Sequence, residues 1–479
     1  MKNLILIFIA FLFTQFTSLA QAPDTLWMKT FGGSNHDLGH SVHQTTDGGY
    51  IIAGVTNSFG AGNSDIWLIK TDAFGDTLWT KTIGGIGYDE SYSVQQTTDG
   101  GYIITGYTES IGASNSDILQ IKTDAFGDTL WTKTFGGSGW DFGSSVMQTT
   151  DGGYIITGSM DAYTGYGDIC LIKTDAFGDT IWTKLFENWG EGHSVQQTTD
   201  GGYIITGVSN LYLDVRLIKT DAFGDTLWTK TYDRGADDSG NSVQQTTDGG
   251  YIITGYTNDS HGYPDVWLIK TDSSGDTLWT KIFGGQWSDV GYSVLQTKDG
   301  GYIIAGQLSG LFGGMEAVWL IKTNDSGDTL WTMSLEIEVA LNGRSVQQST
   351  DGGYIITGFY SPNGFSGPFN VWLIKTTPDI MSYIEQDSDM IPLNFSLRQN
   401  YPNPFNPSTK IKYSVPQTSK VVIKVFDVLG NEIETLNNEE KPAGTYEITW
   451  YAENLPSGVY FYQLKAGNYV ETKKMVLLK

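Results

Sequence analysis

Apolar residues along this chain come in short runs separated by turns rich in Gly and Asp, and this arrangement repeats seven times. In the second repeat, residues 93–97 predict a strand, 99–101 a turn and 102–106 a second strand. A variable loop follows, and residues 117–122 and 129–134 then predict two more strands. Each repeat therefore predicts four antiparallel strands, which we name a to d.

Two short sequence markers define the repeat, and the first of them recurs at spacings of 48 to 52 residues. A period near fifty with β-type composition predicts that each repeat is one blade of a β-propeller. The first marker, Asp-Gly-Gly-Tyr, ends at Tyr50, Tyr102, Tyr154, Tyr203, Tyr251, Tyr302 and Tyr354. The second, Asp-Thr-(Leu/Ile)-Trp, ends at Trp27, Trp79, Trp131, Trp182, Trp228, Trp279 and Trp331.

The two ends of the repeat region complement each other. The marker ending at Trp27 has no strands a to c before it, and the last repeat reaches Pro378 without a fourth strand. An open ring would leave two exposed strand edges, which favour aggregation. We therefore predict seven blades, with residues 24–33 supplying the fourth strand of the last one. The alternative, a row of independent hairpins, could not bury the aromatic residues.

Two of the connections in each repeat are constant and two are not. The a–b and c–d turns recur almost unchanged, whereas the b–c and d–a loops differ in every repeat. In an antiparallel blade these two sets lie on opposite faces of the ring, and we call the second the variable face. Variable loops on a rigid scaffold often determine binding specificity, although loops under little constraint also diverge.

The variable loops combine aromatic and acidic residues, with further tyrosines at Tyr163, Tyr166, Tyr212 and Tyr263. Aromatic rings beside carboxylates suit sugar binding, and Tyr and Trp also dominate protein interfaces. Paired carboxylates would permit glycosidase chemistry as well, but no spacing identifies a catalytic residue. The candidate ligand-binding residues are Tyr88, Asp89, Glu90, Trp140, Asp141, Trp189, Glu191, Trp287 and Asp289.

Neither a metal nor a cofactor is predicted. The Asp72 and Asp76 pair, repeated in most c–d turns, offers too few oxygens for Ca²⁺ unless carbonyls join, and turn capping explains it better. His36, His40 and His43 lie close together in the sequence, but no cysteine accompanies them, so we do not predict a zinc site. We expect the single cysteine, Cys170, to be a packing residue.

Composition narrows the classes of partner. Gly is abundant (60 residues), aromatic residues make up 13% and charged residues 17%, which is typical of a turn-rich β protein. The net charge is −25, and residues 394–479 hold ten basic and eight acidic residues, so the remainder carries −27. An acidic surface without a basic stripe disfavours nucleic acid as a partner.

The first twenty residues resemble an export signal, with Lys2, an apolar run over 4–13 and small residues near Ala20. The run is short for a membrane anchor, and no other stretch could cross a bilayer as a helix, so we expect no transmembrane span in the mature chain. We predict a signal peptide over 1–20, the propeller over 21–377, a linker over 378–393 and a second domain over 394–479.

The c–d turn Asp-Ala-Phe-Gly-Asp-Thr-Leu-Trp (124–131) resembles the tryptophan-docking motif of quinoprotein-type propellers and, more loosely, the Asp-box of sialidase-like propellers. Both resemblances imply a structural role at the propeller periphery. A quinoprotein site often has an adjacent cysteine pair, which this chain lacks, and clustered arginines for a sialidase site are missing too. The resemblance therefore bears on fold and not on activity.

The last domain has a different pattern. Alternating strands over 410–415, 420–428, 445–451, 458–464 and 469–478 predict an immunoglobulin-like sandwich. Its opening Asn-Tyr-Pro-Asn-Pro-Phe-Asn-Pro and its closing Lys-Lys-Met-Val-Leu-Leu-Lys resemble the type A C-terminal sorting domain of type IX secretion substrates. The residues that carry this sorting-signal resemblance are Tyr401, Pro402, Asn403, Pro404, Phe405, Gly430, Gly458, Tyr460, Lys473 and Lys474.

This resemblance implies a route and a location. The chain would cross the inner membrane of a Gram-negative cell by its signal peptide, and the type IX secretion machinery would then recognise the sorting domain. Removal of that domain or attachment of the protein to surface lipopolysaccharide would follow. We expect a secreted or surface-attached recognition module for glycan or protein. An extracellular hydrolase or lyase acting on polysaccharide and a passive spacer remain the alternatives.

Overall fold

A computed structural model describes residues 22–112, 115–160, 167–186, 190–209, 213–235, 237–258, 262–311, 315–335, 340–365, 367–379, 395–398, 400, 403–452, 455–467 and 469–478. The predicted signal peptide and most of the predicted linker lie outside these ranges. The described chain is all-β and divides into two compact units, residues 1–382 and 383–479. Within the described residues, no helix is long and apolar enough to cross a membrane.

The first unit consists of seven four-stranded antiparallel sheets, which are the predicted blades. The a strands are β2 (Asp37–Gln44), β6 (Asp89–Gln96), β10 (Phe142–Gln148), β14 (Gly190–Gln197), β18 (Asp238–Gln245), β22 (Val290–Gln296) and β26 (Ala340–Gln348). The b strands are β3 (Tyr50–Thr56), β7 (Tyr102–Thr108), β11 (Tyr154–Met160), β15 (Tyr203–Ser209), β19 (Tyr251–Asn258), β23 (Tyr302–Leu311) and β27 (Tyr354–Phe365).

The two outer strands of each blade follow in the same order. The c strands are β4 (Asp65–Thr71), β8 (Asp117–Thr123), β12 (Asp168–Thr174), β16 (Asp214–Thr220), β20 (Pro264–Thr271), β24 (Met315–Thr323) and β28 (Asn370–Thr376). The d strands are β5 (Thr77–Ile83), β9 (Thr129–Phe135), β13 (Thr180–Phe186), β17 (Thr226–Tyr232), β21 (Thr277–Phe283), β25 (Thr329–Leu335) and, for the seventh blade, β1 (Thr25–Phe31).

The N-terminal strand closes the last blade, as the sequence predicts. β1 pairs antiparallel with β28, so that Lys29 lies opposite Leu373 and Phe31 opposite Val371. The seventh sheet therefore has the order β1-β28-β27-β26. Both ends of the repeat region therefore lie in one sheet, and β1 pairs with the edge of β28 that would otherwise be unpaired.

The a strands form the inner wall of the ring, because each contacts the a strands of both neighbouring blades. A repeated serine links them: the backbone N–H of a valine in one blade donates to the serine Oγ of the preceding blade. Val94 N lies 3.2 Å from Ser41 Oγ, and Val42 N lies 3.3 Å from Ser345 Oγ. The second of these bonds joins the seventh blade to the first, so the ring is closed.

A buried lysine accounts for the Asp-Gly-Gly marker. In the second blade, Lys122 Nζ lies 2.9 Å from Asp99 Oδ2 and donates to the carbonyl of Thr123. A Cβ on Gly101 would lie 2.6 Å from that Nζ, so glycine leaves room for the ammonium group. The preceding Gly100 has φ +86°, in the left-handed region that glycine favours. The equivalent ion pairs are Lys70–Asp47, Lys173–Asp151, Lys219–Asp200, Lys270–Asp248, Lys322–Asp299 and Lys375–Asp351.

The second marker connects neighbouring blades. The Trp131 ring meets Tyr154 of the next blade edge-on, with centroids 5.9 Å apart. A Cβ on Gly178, in the next c–d turn, would lie 2.7 Å from the same indole. On the same strand, Lys133 Nζ lies 2.7 Å from Asp179 Oδ1. The tryptophan therefore fits a position that only glycine leaves open.

The second unit contains two sheets around one core. One sheet has the order β29-β30-β33 and the other β32-β31-β34-β35. The predicted strands are present, whereas β29 and the charged β32 were not expected. The strands are β29 (Ser396–Leu397), β30 (Ser408–Val415), β31 (Ser419–Phe426), β32 (Glu432–Lys441), β33 (Gly444–Tyr451), β34 (Gly458–Ala466) and β35 (Tyr469–Leu477).

Candidate functional site

Every a strand carries a β-bulge at the same place. The register against strand b shifts by one residue between a small residue, Gly or Ser, and a constant Ser, so the residue between them is left out of the pairing. All seven bulged residues are half-buried on the inner wall, and their identities differ from blade to blade. Bulges often redirect side chains beside functional sites. The bulge ring comprises His40, Tyr92, Ser144, His193, Asn241, Tyr292 and Arg344.

Histidine at the first ring position is held as a neutral hydrogen-bond acceptor. His40 Nδ1 lies 2.9 Å from the carbonyl oxygen of Ser91, which can only accept, so Nδ1 carries the proton and Nε2 the lone pair. The imidazole stacks on Tyr92, with centroids 5.1 Å apart. Burial, and then the charge of Arg344, lower the pKa of His40 to about 4.

Arginine at the seventh ring position rests on aromatic rings. Its guanidinium carbon lies 4.1 Å from the ring centroid of Tyr292 and 5.4 Å from that of Phe359. Tyr292 Oη in turn lies 3.4 Å from Gln307 Oε1, which also accepts a bond from the Asn342 amide at 2.5 Å. This buried polar network fixes the ring beneath the arginine.

On the opposite side of the bulge ring, in the fourth and fifth blades, a histidine lies beside a carboxylate instead of a cation. His193 Nδ1 lies 3.0 Å from the carbonyl oxygen of Gly240, and its Nε2 lies 3.6 Å from Glu191 Oε2. The nearby histidine lowers the pKa of Glu191. Asn241 donates its amide to the carbonyl of Gly291 at 2.8 Å. The same sequence position therefore supplies a neutral imidazole beside a cation in one blade and an imidazole beside a carboxylate in another.

An aromatic track leads from the rim of the variable face to the bulge ring. It runs Trp140, Phe142, Tyr107, Tyr92 and His40, with successive centroids 6.5, 5.1, 6.2 and 5.1 Å apart. Trp140 is 43% exposed and the other four rings are half-buried. The track crosses three neighbouring blades, and each of its rings keeps part of its surface exposed to solvent.

Glu90 lies beside this track. Its Oε2 accepts a bond from the Tyr92 hydroxyl at 3.1 Å, and burial raises its pKa. Of the other predicted ligand-binding residues, Tyr88 and Trp287 are about half exposed, and Trp287 lies 6.0 Å from Tyr263. Glu191 is exposed and lies beside His193, as described above.

The predicted aspartates have a different setting, because all three side chains are buried. Asp89 Oδ2 accepts bonds from the backbone N–H of Gly85 at 2.8 Å and from the hydroxyl of Ser110 at 2.6 Å. It thereby ties its d–a loop to its b–c loop. Asp141 and Asp289 accept bonds from loop backbone in the same way. These carboxylates shape the variable loops from within.

Several predictions fall on residues outside the described ranges. Trp189, Tyr163, Tyr166 and Tyr212 belong to this group, as do Tyr401 and Pro402 of the sorting signal.

Two of the candidate metal ligands, Asp72 and His36, have other partners. Asp72 Oδ1 accepts the backbone N–H groups of Phe74 and Asp76, both at 2.9 Å, which is the turn-capping role. His36 Nδ1 accepts from the backbone N–H of Phe369 in the seventh blade, whereas His40 Nδ1 bonds to Ser91 in the second. Within the described ranges, one group of three acids lies close enough to share an ion: Asp214, Asp233 and Asp238.

The single cysteine packs in the core, as expected. Cys170 is fully buried on a c strand, and burial raises the pKa of its thiol. A buried thiol of raised pKa is poorly nucleophilic.

The described sorting residues are mostly structural. Phe405 is buried 5.5 Å from Trp450, and its backbone N–H donates to Val476. Asn403 Oδ1 accepts the Val476 N–H at 2.8 Å, so the opening motif is bound to the last strand. Gly430 has φ +83° in a turn, Gly458 begins β34, and Tyr460 donates to the carbonyl of Pro456. Lys473 pairs with Glu471 at 3.1 Å, and Lys474 is exposed.

Residues 399–478 match the model of the secretion system C-terminal sorting domain family. A protein of unknown function from Bacteroides caccae aligns at 13% identity and a TM-score of 0.38, over 61% of this chain and 96% of its own. A protein of unknown function from Dyadobacter fermentans aligns at 11% identity and a TM-score of 0.44, over 74% of this chain and 98% of its own. PorZ is an essential surface component of the type IX secretion system of Porphyromonas gingivalis. It aligns at 11% identity and a TM-score of 0.33, over 94% of this chain and 53% of its own.

At these identities and TM-scores, the fold assignment rests on the strand pairing described above. No curated protein matches the chain. The sorting-domain match assigns export: the chain passes through type IX secretion to the cell surface or the extracellular space.

Proposed function

We propose that this exported chain is a recognition module that binds an extracellular glycan on the variable face of its propeller. The observation that carries the proposal is the aromatic track from Trp140 to His40. The C–H face of a sugar ring is apolar and packs against an aromatic face, while its hydroxyls need hydrogen-bond partners. A row of rings across three blades suits successive sugar units better than a single small molecule.

Polar groups suited to hydroxyls line the same region. Glu90 beside Tyr92 can accept, the lone pair on His40 Nε2 can accept, and Ser144 can do both. These groups lie on paired strands rather than on free loops, so little entropy would be lost when a ligand binds. The same preorganisation would serve a hydrolase or lyase, which is the second candidate.

We further propose that the signal peptide over 1–20 begins the export route and that the sorting domain is removed or anchored at its end. The two-sheet unit has a core of its own, so it can be recognised as a separate body.

The test uses the purified full chain on a glycan array, followed by a turnover assay on each retained glycan. We expect retention without turnover, and loss of retention in Tyr92→Ala and Trp140→Ala. Phe126→Ala is the matched control, because it removes a 71% exposed ring from a c–d turn on the opposite face. Retention of nothing, or capture of a protein partner alone, would refute glycan recognition, and turnover would favour the enzyme.

A further inference from the structure

The bulge ring contains one permanent charge. Six of its positions hold His, Tyr, Ser or Asn, and the seventh holds Arg344. The surrounding propeller is strongly acidic, since the chain carries −25 overall. A lone guanidinium at this position needs an explanation, because a cation on an acidic protein usually pairs with a neighbouring carboxylate.

Arg344 has no such partner. Among the described residues it forms no salt bridge, and its Nε is buried without a hydrogen-bond partner. The charge of Arg344 favours ionisation of the Glu316 carboxyl, but burial outweighs this effect and raises the pKa of Glu316. The guanidinium lies over the rings of Tyr292 and Phe359, which hold it in place without accepting a conventional hydrogen bond from it. A buried donor without a partner is costly unless a ligand satisfies it.

The location of this cation matches the end of the aromatic track. Arg344 and His40, the last ring of the track, hold the bulge positions of the adjacent, contacting strands β26 and β2, and the charge of Arg344 also contributes to lowering the pKa of His40. The neutral imidazole beside it does not compete for an anion. Glu90 and Glu191, the acids nearest the ring along the a strands, contact Tyr92 and His193 instead.

We infer that Arg344 is an anion subsite that receives a carboxylate or sulfate group of an acidic glycan whose sugar rings lie along the aromatic track. The planar guanidinium can donate two parallel hydrogen bonds to such a group. This inference rests on the proposed function, since it names the class of glycan bound at the same site.

The test compares oligogalacturonate with its carboxyl-reduced form on the full chain, with a sulfated galactan as a third probe. We expect the wild type to prefer an acidic probe by about tenfold or more. Arg344→Gln should lose that preference, and Arg344→Lys should keep part of it. Arg234→Gln is the matched control, because it removes the same charge from another arginine of the variable face, 6.0 Å from the Trp267 ring.

A second readout separates the two hypotheses. Melting temperature is measured with galacturonate, galactose or inorganic sulfate, and we expect galacturonate or sulfate to stabilise the wild type but not Arg344→Gln. Equal binding of neutral and acidic probes would overturn the anion subsite and leave glycan recognition intact. An acidic preference that persists in Arg344→Gln would overturn it as well. Absence of all glycan binding would refute both.

Discussion

The indole of Trp27 meets the ring of Tyr50 edge-on, with centroids 5.9 Å apart, and this contact joins the N-terminal strand to the first blade. Trp27 belongs to the sheet of the seventh blade, so one side chain near the start of the described chain bridges the two ends of the repeat region. Closure of the ring at its outer strands therefore depends on residues 24–33, which lie outside every complete repeat, while the a strands join at the inner wall.

Deleting residues 21–33 should lower the melting temperature sharply, because the edge of β28 and the ring of Tyr50 would be exposed. Trp27→Ala alone should cost about 2–3 kcal/mol, less than a fully buried tryptophan because this one is half-buried. Leu26→Ala is the control: that side chain is 50% exposed, and its loss should change stability by about 0.5 kcal/mol or less. An unchanged melt of the deletion variant would disprove closure by this strand.

The two adjacent glycines of the Asp-Gly-Gly marker should respond differently to alanine. A Cβ on Gly101 would lie 2.1 Å from the carbonyl oxygen of Thr123, so Gly101→Ala should cost about 3 kcal/mol or more. Gly100 has φ +86° with open space around it, so Gly100→Ala should cost about 1 kcal/mol and Gly100→Asn less. Urea denaturation measures both, and equal effects would contradict the packing role of the lysine.

The ion pairs between a buried lysine and a partly exposed aspartate predict loss of stability in acid. Burial alone would raise the pKa of Asp99, but hydrogen bonds from Thr97 and Lys122 outweigh it and lower the value to about 2, from an ordinary 3.8. Asp200 and Asp248 behave in the same way. A carboxyl whose pKa is depressed on folding stabilises the fold above its unfolded pKa and loses that contribution as pH falls through the folded value.

Melting temperature should therefore change little above about pH 5 through these groups and fall between about pH 4 and 2. Because the Asp99 side chain is 60% exposed and solvent screens its pair with Lys122, Asp99→Asn should be less stable than the wild type at pH 7 by only about 1 kcal/mol, and the difference should narrow through the same window. A difference that stays constant down to pH 2 would show that ionisation of Asp99 contributes nothing.

Export should depend on the core of the second unit. Phe405→Ala empties a buried site beside Trp450, so this variant should unfold the sorting domain and accumulate in the periplasm, as should deletion of residues 394–479. Lys474→Ala changes an exposed side chain and should preserve the fold. Fractionation with a surface-accessibility assay measures the outcome, and continued surface display of the deletion variant would contradict the sorting role.

The constant residues made the fold predictable. Asp-Gly-Gly-Tyr and Asp-Thr-Leu-Trp recur because lysine, glycine and tryptophan interlock between strands and between blades, so their spacing reports the blade directly. The unmatched marker at Trp27 gave the closing strand. The charged β32 was missed because most of its side chains are exposed at a sheet edge and show no apolar alternation.

The candidate site was only partly predictable. Asp89 was read as a ligand group because it is polar and lies in a variable loop, but Ser110, twenty-one residues away, hydrogen-bonds it inside the blade. The bulge ring was missed because a bulge depends on register between strands. Its one sequence signal was a single varying residue between a small residue and the constant Ser-Val of strand a.

The bulged residue takes no part in the ladder of its blade, so replacing it leaves strand pairing and the serine links between blades unchanged. Strand pairing and the serine links therefore tolerate change at all seven positions, although the side chains of His40, His193 and Asn241 also donate to a backbone carbonyl of the next blade. Duplicated blades that begin identical can diverge in ligand preference one side chain at a time. A combinatorial library restricted to these seven codons would sample new specificities on a ring that still closes.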